Sequence, residues 1–273
     1  MSYSQALSSY RTRHGLARIS WLTWSITLVT VTFWCFTAYQ TALAAGAHSL
    51  PAVIANIINN AITIQDKEND ALTSVLLTYG AKDNALIRQG QYWRFVMPIF
   101  LHANLLHVRL NMLNFALLGV FVERLVGQAR FLLIYLVTGV VATCASCLFS
   151  PQDISVGASG AIFGLVGAYS IFIFMHRRVF SHGGIPALLW LIVIIGLNLA
   201  IGLFMPNIDN YAHLGGLLSG LLLGWWFMPL YQPTRTLQPL SDVHSLTRRW
   251  PLALATLLGT CVLAIVTVHF MGG

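Results

Sequence analysis

Charged side chains are scarce in this chain. Only 8% of its 273 residues are Asp, Glu, Lys or Arg, whereas soluble domains average about 25%. Hydrophobic residues make up 57% of the chain. This composition excludes an ordinary soluble domain and is typical of a helical protein that crosses a lipid bilayer several times. The net charge of +7 does not indicate a nucleic-acid partner, because the basic residues lie between apolar runs rather than in one patch.

Acidic residues inside the apolar runs and metal-binding motifs are also missing. No carboxylate lies in the middle of a run, which argues against an aspartyl protease and against a transporter. The H-E-x-x-H motif of zinc proteases is absent as well. We therefore expect neither a metal nor a cofactor.

The four cysteines all lie in apolar runs, and Cys144 and Cys147 form a C-x-x-C pair. Such a pair can indicate redox chemistry or metal binding. No second pair and no flanking ligand accompany it. The pattern therefore favours two small packing residues on a buried helix.

Seven apolar runs are long enough, at about 20 residues, to cross a bilayer as helices. They cover residues 19–45, 101–122, 131–150, 156–175, 185–205, 211–230 and 251–271. The second run is the most polar, since it carries His102, His107, Arg109 and Asn111. Polar groups at membrane depth are costly and usually functional. The sequence predicts an all-α, polytopic membrane bundle.

Arginines flank the runs unevenly. If the seven runs alternate in direction, ten arginines fall on one side: Arg11, Arg13, Arg18, Arg124, Arg130, Arg177, Arg178, Arg235, Arg248 and Arg249. Because such an excess marks the cytoplasmic side, we expect a cytoplasmic N-terminus and an outer C-terminus. The compact chain without a transit-peptide pattern favours a bacterial inner membrane. The first run exceeds the 7–15 residues of a signal-peptide core, so we interpret it as an uncleaved anchor.

The runs divide the chain into four expected parts. These are a cytoplasmic tail (1–18), a six-helix core (19–230), a cytoplasmic linker (231–250) and a seventh span (251–273). In the outer loop at 48–97, isoleucines indicate either a short amphipathic helix on the membrane surface or ordinary loop packing; they are Ile54, Ile57, Ile58, Ile62 and Ile64. In the last run, Thr256, Gly259 and Thr260 offer a small face for docking on the bundle.

A serine and a histidine in separate runs indicate catalysis. Ser159 lies near the start of the fourth run and His213 near the start of the sixth, so both are expected close to the outer surface. Serine needs a base to take its proton. Small residues at four-residue spacing let these two helices approach closely: Gly160, Gly164 and Ala168 in one, Gly216, Gly220 and Gly224 in the other. The stripes could serve packing alone, but such packing would also bring the two side chains together.

Acyl transfer also needs N–H donors directed at the developing oxyanion. His107 and Asn111 are four residues apart and share a helix face. The backbone N–H groups of Ala158 and Ser159 lie at a helix start, where free donors and the helix dipole favour negative charge. Each residue also has a structural interpretation: His213 as a packing histidine, and the His107 and Asn111 side chains as bonds between helices.

Three sequence segments together resemble the rhomboid family of intramembrane serine proteases. They are GASGAIFG at 157–164, the His107-x-x-x-Asn111 face, and AHLGG at 212–216. Trp93-Arg94 and Glu123-Arg124 also resemble family motifs. The resemblance covers about residues 92–230. It implies a six-helix rhomboid-like core with one additional C-terminal transmembrane helix.

The resemblance implies a serine endopeptidase in which Ser159 is the nucleophile and His213 the general base, without an acidic third member. His107, Asn111 and the Ser159 amide would form the oxyanion hole. The remaining roles are supporting ones. His102 would hold water or act structurally, Phe163 would place an aromatic ring against the histidine, Gly157, Gly160 and Gly216 would permit close approach, and Glu123 would act structurally. The 206–210 link would cap the site.

The implied substrates are single-pass transmembrane proteins, cut near the outer face of the lipid bilayer, with no cofactor, metal or nucleic acid involved. The alternative is a non-catalytic rhomboid-like protein that binds or escorts transmembrane helices. Loss of the serine or the histidine would favour that alternative. Both Ser159 and His213 are present.

Overall fold

Helices make up nearly all of the protein that can be described. The computed structural model describes residues 19–61, 70–177, 184–204, 208–232, 241–242 and 244–270. Within these ranges the α-helices are α1 (Trp21–Ala44), α2 (Leu50–Asn59), α3 (Asp70–Tyr79), α4 (Asn84–Arg88), α5 (Leu105–Val126), α6 (Gln128–Phe149), α7 (Ser159–Met175), α8 (Ile185–Phe204), α9 (Asn210–Phe227) and α10 (Leu246–Phe270). Two short 3₁₀ helices, Tyr92–Phe95 and Met97–Phe100, precede α5. Antiparallel two-residue strands, β1 (Tyr231–Gln232) and β2 (Ser241–Asp242), precede α10.

Four of the described helices are long and apolar enough to cross a membrane: α1, α5, α6 and α10. Helix α7 is shorter, at 17 residues, and α9 carries His213, Asn210 and several glycines among its apolar residues. Helix α6 contacts α5, α7, α9 and α10 and is the central helix of the bundle. The predicted all-α membrane bundle is confirmed.

Helix α5 begins four residues later than the apolar run suggested. The Asn104 side chain accepts a hydrogen bond from the His107 N–H at 2.8 Å and caps the helix. His102 therefore lies in the preceding loop and not on the helix. At its far end, Gly127 has φ 83° and is the single residue between α5 and α6. The last helix, α10, begins at Leu246, so Pro251 lies inside it.

The loop between α1 and α5 contains the short helix α2, which packs by one face. Ser49 caps it, Val53 is buried and Ile57 packs against the core, whereas Ile54 and Ile58 are exposed. This pattern is that of an amphipathic helix. Ile62 and Ile64 lie outside the described residues.

The bundle has two ends with different polar contacts. Helices α5, α7 and α9 begin at what we call the loop end, because the loop between α1 and α5 lies there. At the opposite end, the buried Glu123 carboxylate accepts hydrogen bonds from the Thr23 N–H at 2.8 Å and the Thr23 hydroxyl at 2.7 Å, and from the Leu22 N–H. Glu123 thus fixes the start of α1 against α5. Asp242 forms an ion pair with Arg130 and joins the segment before α10 to α6.

Candidate active site

Ser159 and His213 meet at the loop end of the bundle. Ser159 is the first residue of α7, and His213 lies in the first turn of α9. The His213 Nε2 is 2.8 Å from the Ser159 Oγ, a hydrogen-bonding distance. The Phe163 ring stacks on the imidazole, with 4.5 Å between ring centroids and 10° between ring planes. The serine, the histidine and the aromatic ring thus lie together, as the resemblance implies.

The imidazole is oriented by packing rather than by a carboxylate. His213 Nδ1 is buried, and it has no hydrogen-bond partner among the described residues. Asp209, four residues earlier, directs its side chain to the Ala212 N–H at 2.9 Å and caps α9. The Phe163 ring therefore limits rotation of the His213 ring.

Glycines bring α7 and α9 into backbone contact below this pair. A methyl group at Gly216 would overlap the carbonyl oxygen of Gly160, and one at Gly220 would overlap that of Gly164. One turn further, a methyl at Gly224 would lie 2.7 Å from the Ala168 Cα. Because only hydrogen fits at these positions, the stripe sets the separation of the two helices, and with it the distance from Ser159 to His213.

The segment before Ser159 is held by backbone hydrogen bonds. Gly157 has φ 129°, a conformation that side chains strongly disfavour, and its N–H donates to the Pro98 carbonyl at 2.8 Å. A Cβ at Gly157 would lie 2.8 Å from His107 Nε2 and 3.8 Å from Ser159 Oγ. The absence of a side chain at Gly157 thus leaves room between the imidazole of His107 and the serine.

His102 and His107 line the same side of the serine. Their rings meet edge to face, with centroids 4.9 Å apart, and His102 is buried. His102 Nε2 accepts a long hydrogen bond, 3.4 Å, from the Ala158 N–H. Since this amide points to His102, we do not assign the Ala158 N–H to the oxyanion hole, in contrast to the expectation from the sequence. The contact gives His102 a role in fixing the residue before Ser159.

Asn111 is buried one turn below His107 on α5. Its amide nitrogen donates to the His107 carbonyl at 3.0 Å. An asparagine amide carries two N–H donors, so this bond leaves one of them. Asn114, on the same helix, makes the same kind of bond to the Leu110 carbonyl but is exposed.

Trp93 and Arg94 stabilise the loop that supports the site. The Arg94 guanidinium donates to the Ala81 carbonyl at 2.8 Å and to Gln91 Oε1 at 2.6 Å. Its Cζ lies 4.8 Å from the centre of the Trp93 ring, a cation–π distance. That ring covers Gly80, where a side chain would overlap it. The motif therefore joins residues 80–94 into one unit.

The C-x-x-C pair consists of packing residues on the buried helix α6, as the sequence pattern favours. Cys144 and Cys147 are buried free thiols, and Cys144 Sγ lies 4.0 Å from Cys261 Sγ of α10. The described residues contain no cluster of three or more His, Cys, Asp or Glu side chains that could hold a metal.

Lys82 is fully buried near the turn that precedes Ser159, and sequence reasoning missed it. A lysine among the loop's other charges gives no signal of burial.

Comparison with known proteins shows which family the chain belongs to. Residues 89–230 match the family model of the Rhomboid domain. The chain is 45% identical over 149 residues to "Rhomboid protease GluP" of Bacillus subtilis (strain 168), which is 54% of this chain and 28% of that protein. It is 41% identical over 166 residues to "RHOMBOID-like protein 1" of Arabidopsis thaliana, covering 59% and 42%.

A third relative aligns over more of both proteins. "RHOMBOID-like protein 5" of Arabidopsis thaliana is 33% identical over 221 residues, which is 79% of this chain and 70% of the relative. The chain thus spans less than half of the first two relatives but most of this one. Since the Rhomboid model also matches more than half of the residues, this multi-pass membrane protein belongs to the rhomboid family.

Proposed function

We propose that the protein is an intramembrane serine endopeptidase that cleaves transmembrane or membrane-anchored proteins with a Ser159–His213 dyad. One observation carries the proposal: the 2.8 Å contact between Ser159 Oγ and His213 Nε2. A serine becomes an effective nucleophile when an adjacent base takes its proton. Relatives named as rhomboid proteases support the same reaction class.

The reaction proceeds in two acyl-transfer steps. His213 Nε2 takes the Ser159 proton while Oγ forms a bond to the scissile carbonyl carbon, and the carbonyl electron pair moves to its oxygen. When that pair returns, the C–N bond breaks and His213 gives its proton to the leaving amine. Water then attacks the acyl-enzyme with His213 again as base, and the Ser159 Oγ leaves with the proton.

The oxyanion forms beside the start of α7. The Ser159 N–H is among the first N–H groups of that helix, which have no partner within the helix, and the helix dipole favours negative charge there. We assign the remaining donors to His107 and to the second amide N–H of Asn111. Gly157 permits a substrate strand to approach, because no side chain separates His107 from Ser159.

The surroundings of the dyad suit hydrolysis near one membrane surface. Ser159, His107 and His213 all lie in first turns at the loop end, close to the described loop segments and away from the opposite end. The arginine distribution supports an orientation with the loop end at the outer face of the expected bacterial inner membrane. Residues 206 and 207 of the expected capping link lie outside the described residues.

The test is cleavage of a model single-pass substrate in proteoliposomes. Wild type is expected to produce two fragments, whereas Ser159→Ala and His213→Ala each abolish cleavage while still inserting and folding. A protein that only escorts helices would bind the substrate in wild type and in both variants without cutting it. Such a result would contradict the proposed activity.

A second prediction concerns the oxyanion donors. Asn111→Ala should lower kcat about 10²–10³-fold and change KM little, because one donor to the oxyanion is lost. Asn114→Ala is the matched control, since it removes the same amide from the same helix at an exposed position with the same back-bond. Equal kcat values for the two variants would remove Asn111 from the oxyanion hole.

A further inference from the structure

Lys82 is a buried lysine, and the stability of the fold alone does not explain why a charged residue lies at this position. It lies in the loop between α3 and α4, and its side chain is fully buried. Its Nζ donates to the Ser150 carbonyl and, at 2.8 Å, to the Asp153 carbonyl. Both acceptors are neutral backbone groups, and removing an ammonium from water is costly unless its charge is well compensated.

The carbonyls that Lys82 binds belong to the turn leading from α6 to the serine. Ser150 is the C-terminal cap of α6, and the last carbonyls of a helix lack partners and attract positive charge. Two residues further along the loop, Asn84 donates to the Cys147 carbonyl of α6 at 2.9 Å. Residues 82–84 therefore supply hydrogen-bond donors to the carbonyls at the C-terminal end of α6.

The backbone of Lys82 holds the other end of the same turn. Its N–H donates to the Ser155 carbonyl at 3.0 Å, and the Ser155 N–H donates back at 3.3 Å. Ser155 precedes Ser159 by only four residues. One loop residue therefore fixes both the beginning and the end of residues 150–155.

The groups around the ammonium connect it to both halves of the dyad. Those that act on it electrostatically are Cys147 of α6, Asp153 of the turn, its neighbour Asp83, and Asp209. Burial lowers the pKa of Lys82 below its ordinary value of 10.5, and these four groups oppose that shift. Asp209 caps α9, and its carbonyl accepts the N–H of His213 at 3.1 Å.

We infer that Lys82 is a positioning residue of the proposed protease: its side chain fixes the 150–155 turn, and thereby the position of Ser159 Oγ relative to His213. Lys82 itself contacts neither Ser159 nor the substrate. The inference rests on the proposed function, because a correctly placed serine matters only if it reacts.

The experiment compares Lys82→Met with wild type as full chains in proteoliposomes. We expect kcat to fall between tenfold and about 10²-fold with KM unchanged, since a small displacement of a reacting group costs rate rather than binding. The rate of fluorophosphonate labelling of Ser159 should fall in parallel. The Tm should fall, because the Ser150 and Asp153 carbonyls lose their donor, so kcat is compared per folded molecule. Lys82→Gln, which keeps an N–H donor, should recover part of the kcat.

Lys67→Met is the control, because Lys67 is the chain's only other lysine. Wild-type kcat in Lys82→Met would overturn the inference, as would equal losses in Lys82→Met and Lys82→Gln. A lower Tm with unchanged kcat per folded molecule would also overturn it, because the role would then be structural only. If wild type itself neither cleaves nor labels, the proposed function fails instead.

If neither variant folds, an NMR measurement on the wild-type protein tests the inference about Lys82. With ¹⁵N-lysine, only two side chains give signals. We expect the Lys82 Nζ resonance to shift when fluorophosphonate modifies Ser159, since the turn connects the two residues. An unchanged resonance would overturn the inference.

Discussion

Helices α9 and α10 both pack against α6, but they do so with different kinds of surface. Helix α9 also contacts α7 backbone to backbone, through glycines where a methyl group would overlap a carbonyl oxygen. Helix α10 presents side chains instead, with Ala253, Ala264 and Val268 buried and Cys261 beside Cys144. A backbone contact fixes a distance, whereas a side-chain contact can adjust. The first contact therefore sets the geometry of the site, and the second adds stability.

The largest effect is expected from breaking the glycine contact. Gly220→Ala should destabilise the protein by about 1–3 kcal/mol, because the added methyl overlaps the Gly164 carbonyl in a packed interface. It should also slow the labelling of Ser159, since the helices must separate. The Tm and the fluorophosphonate labelling rate measure the two effects.

Gly259→Ala is the matched change on α10. Nothing lies within 4 Å of a Cβ added there, and alanine favours helix over glycine by roughly 0.5–1 kcal/mol. We expect an unchanged or slightly higher Tm and unchanged labelling. If the two glycine variants behave alike, the contrast between α9 and α10 does not hold.

A smaller effect on catalysis is expected from removing α10 altogether. A chain that stops after Arg235 keeps every residue assigned to the site and loses the Arg130–Asp242 ion pair and the hydrogen bond from Arg249 to the Trp226 carbonyl. Its Tm should fall, but it should retain measurable proteolysis in detergent. A shortened protein that remains folded by thermal shift yet fails to cleave would show that α10 shapes the site.

The sequence could place those residues whose spacing along the chain matches one face of a helix. The small residues of α7 and α9 follow the four-residue spacing of a helix face; Ser159 directly precedes the first stripe and His213 lies three residues before the second, so their meeting was predictable from the pattern. The position of His102 was not, although Asn104 before an apolar run is a helix-start signal. The helix begins at this cap, and His102 therefore lies in the loop.

Contacts between segments that are distant along the chain leave no periodic pattern in the sequence, so the sequence could not predict them. The burial of Lys82 depends on the end of α6, some 68 residues along the chain. On α10, the predicted docking face was only partly right: Thr256 and Thr260 are half-buried and Gly259 faces open space, whereas the buried residues are Ala253, Ala264 and Val268. Small residues occur on lipid-facing and packed surfaces alike, so composition alone could not distinguish the two.

The most direct test of the dyad is the site of fluorophosphonate modification, read by intact mass and peptide mapping. Wild type should gain a single adduct, on Ser159, and Ser159→Ala should gain none. His213→Ala should label far more slowly, because the serine loses the base 2.8 Å from its Oγ. Labelling of His213→Ala at the wild-type rate, or an adduct on another residue, would contradict the assignment of Ser159 and His213 as a catalytic pair.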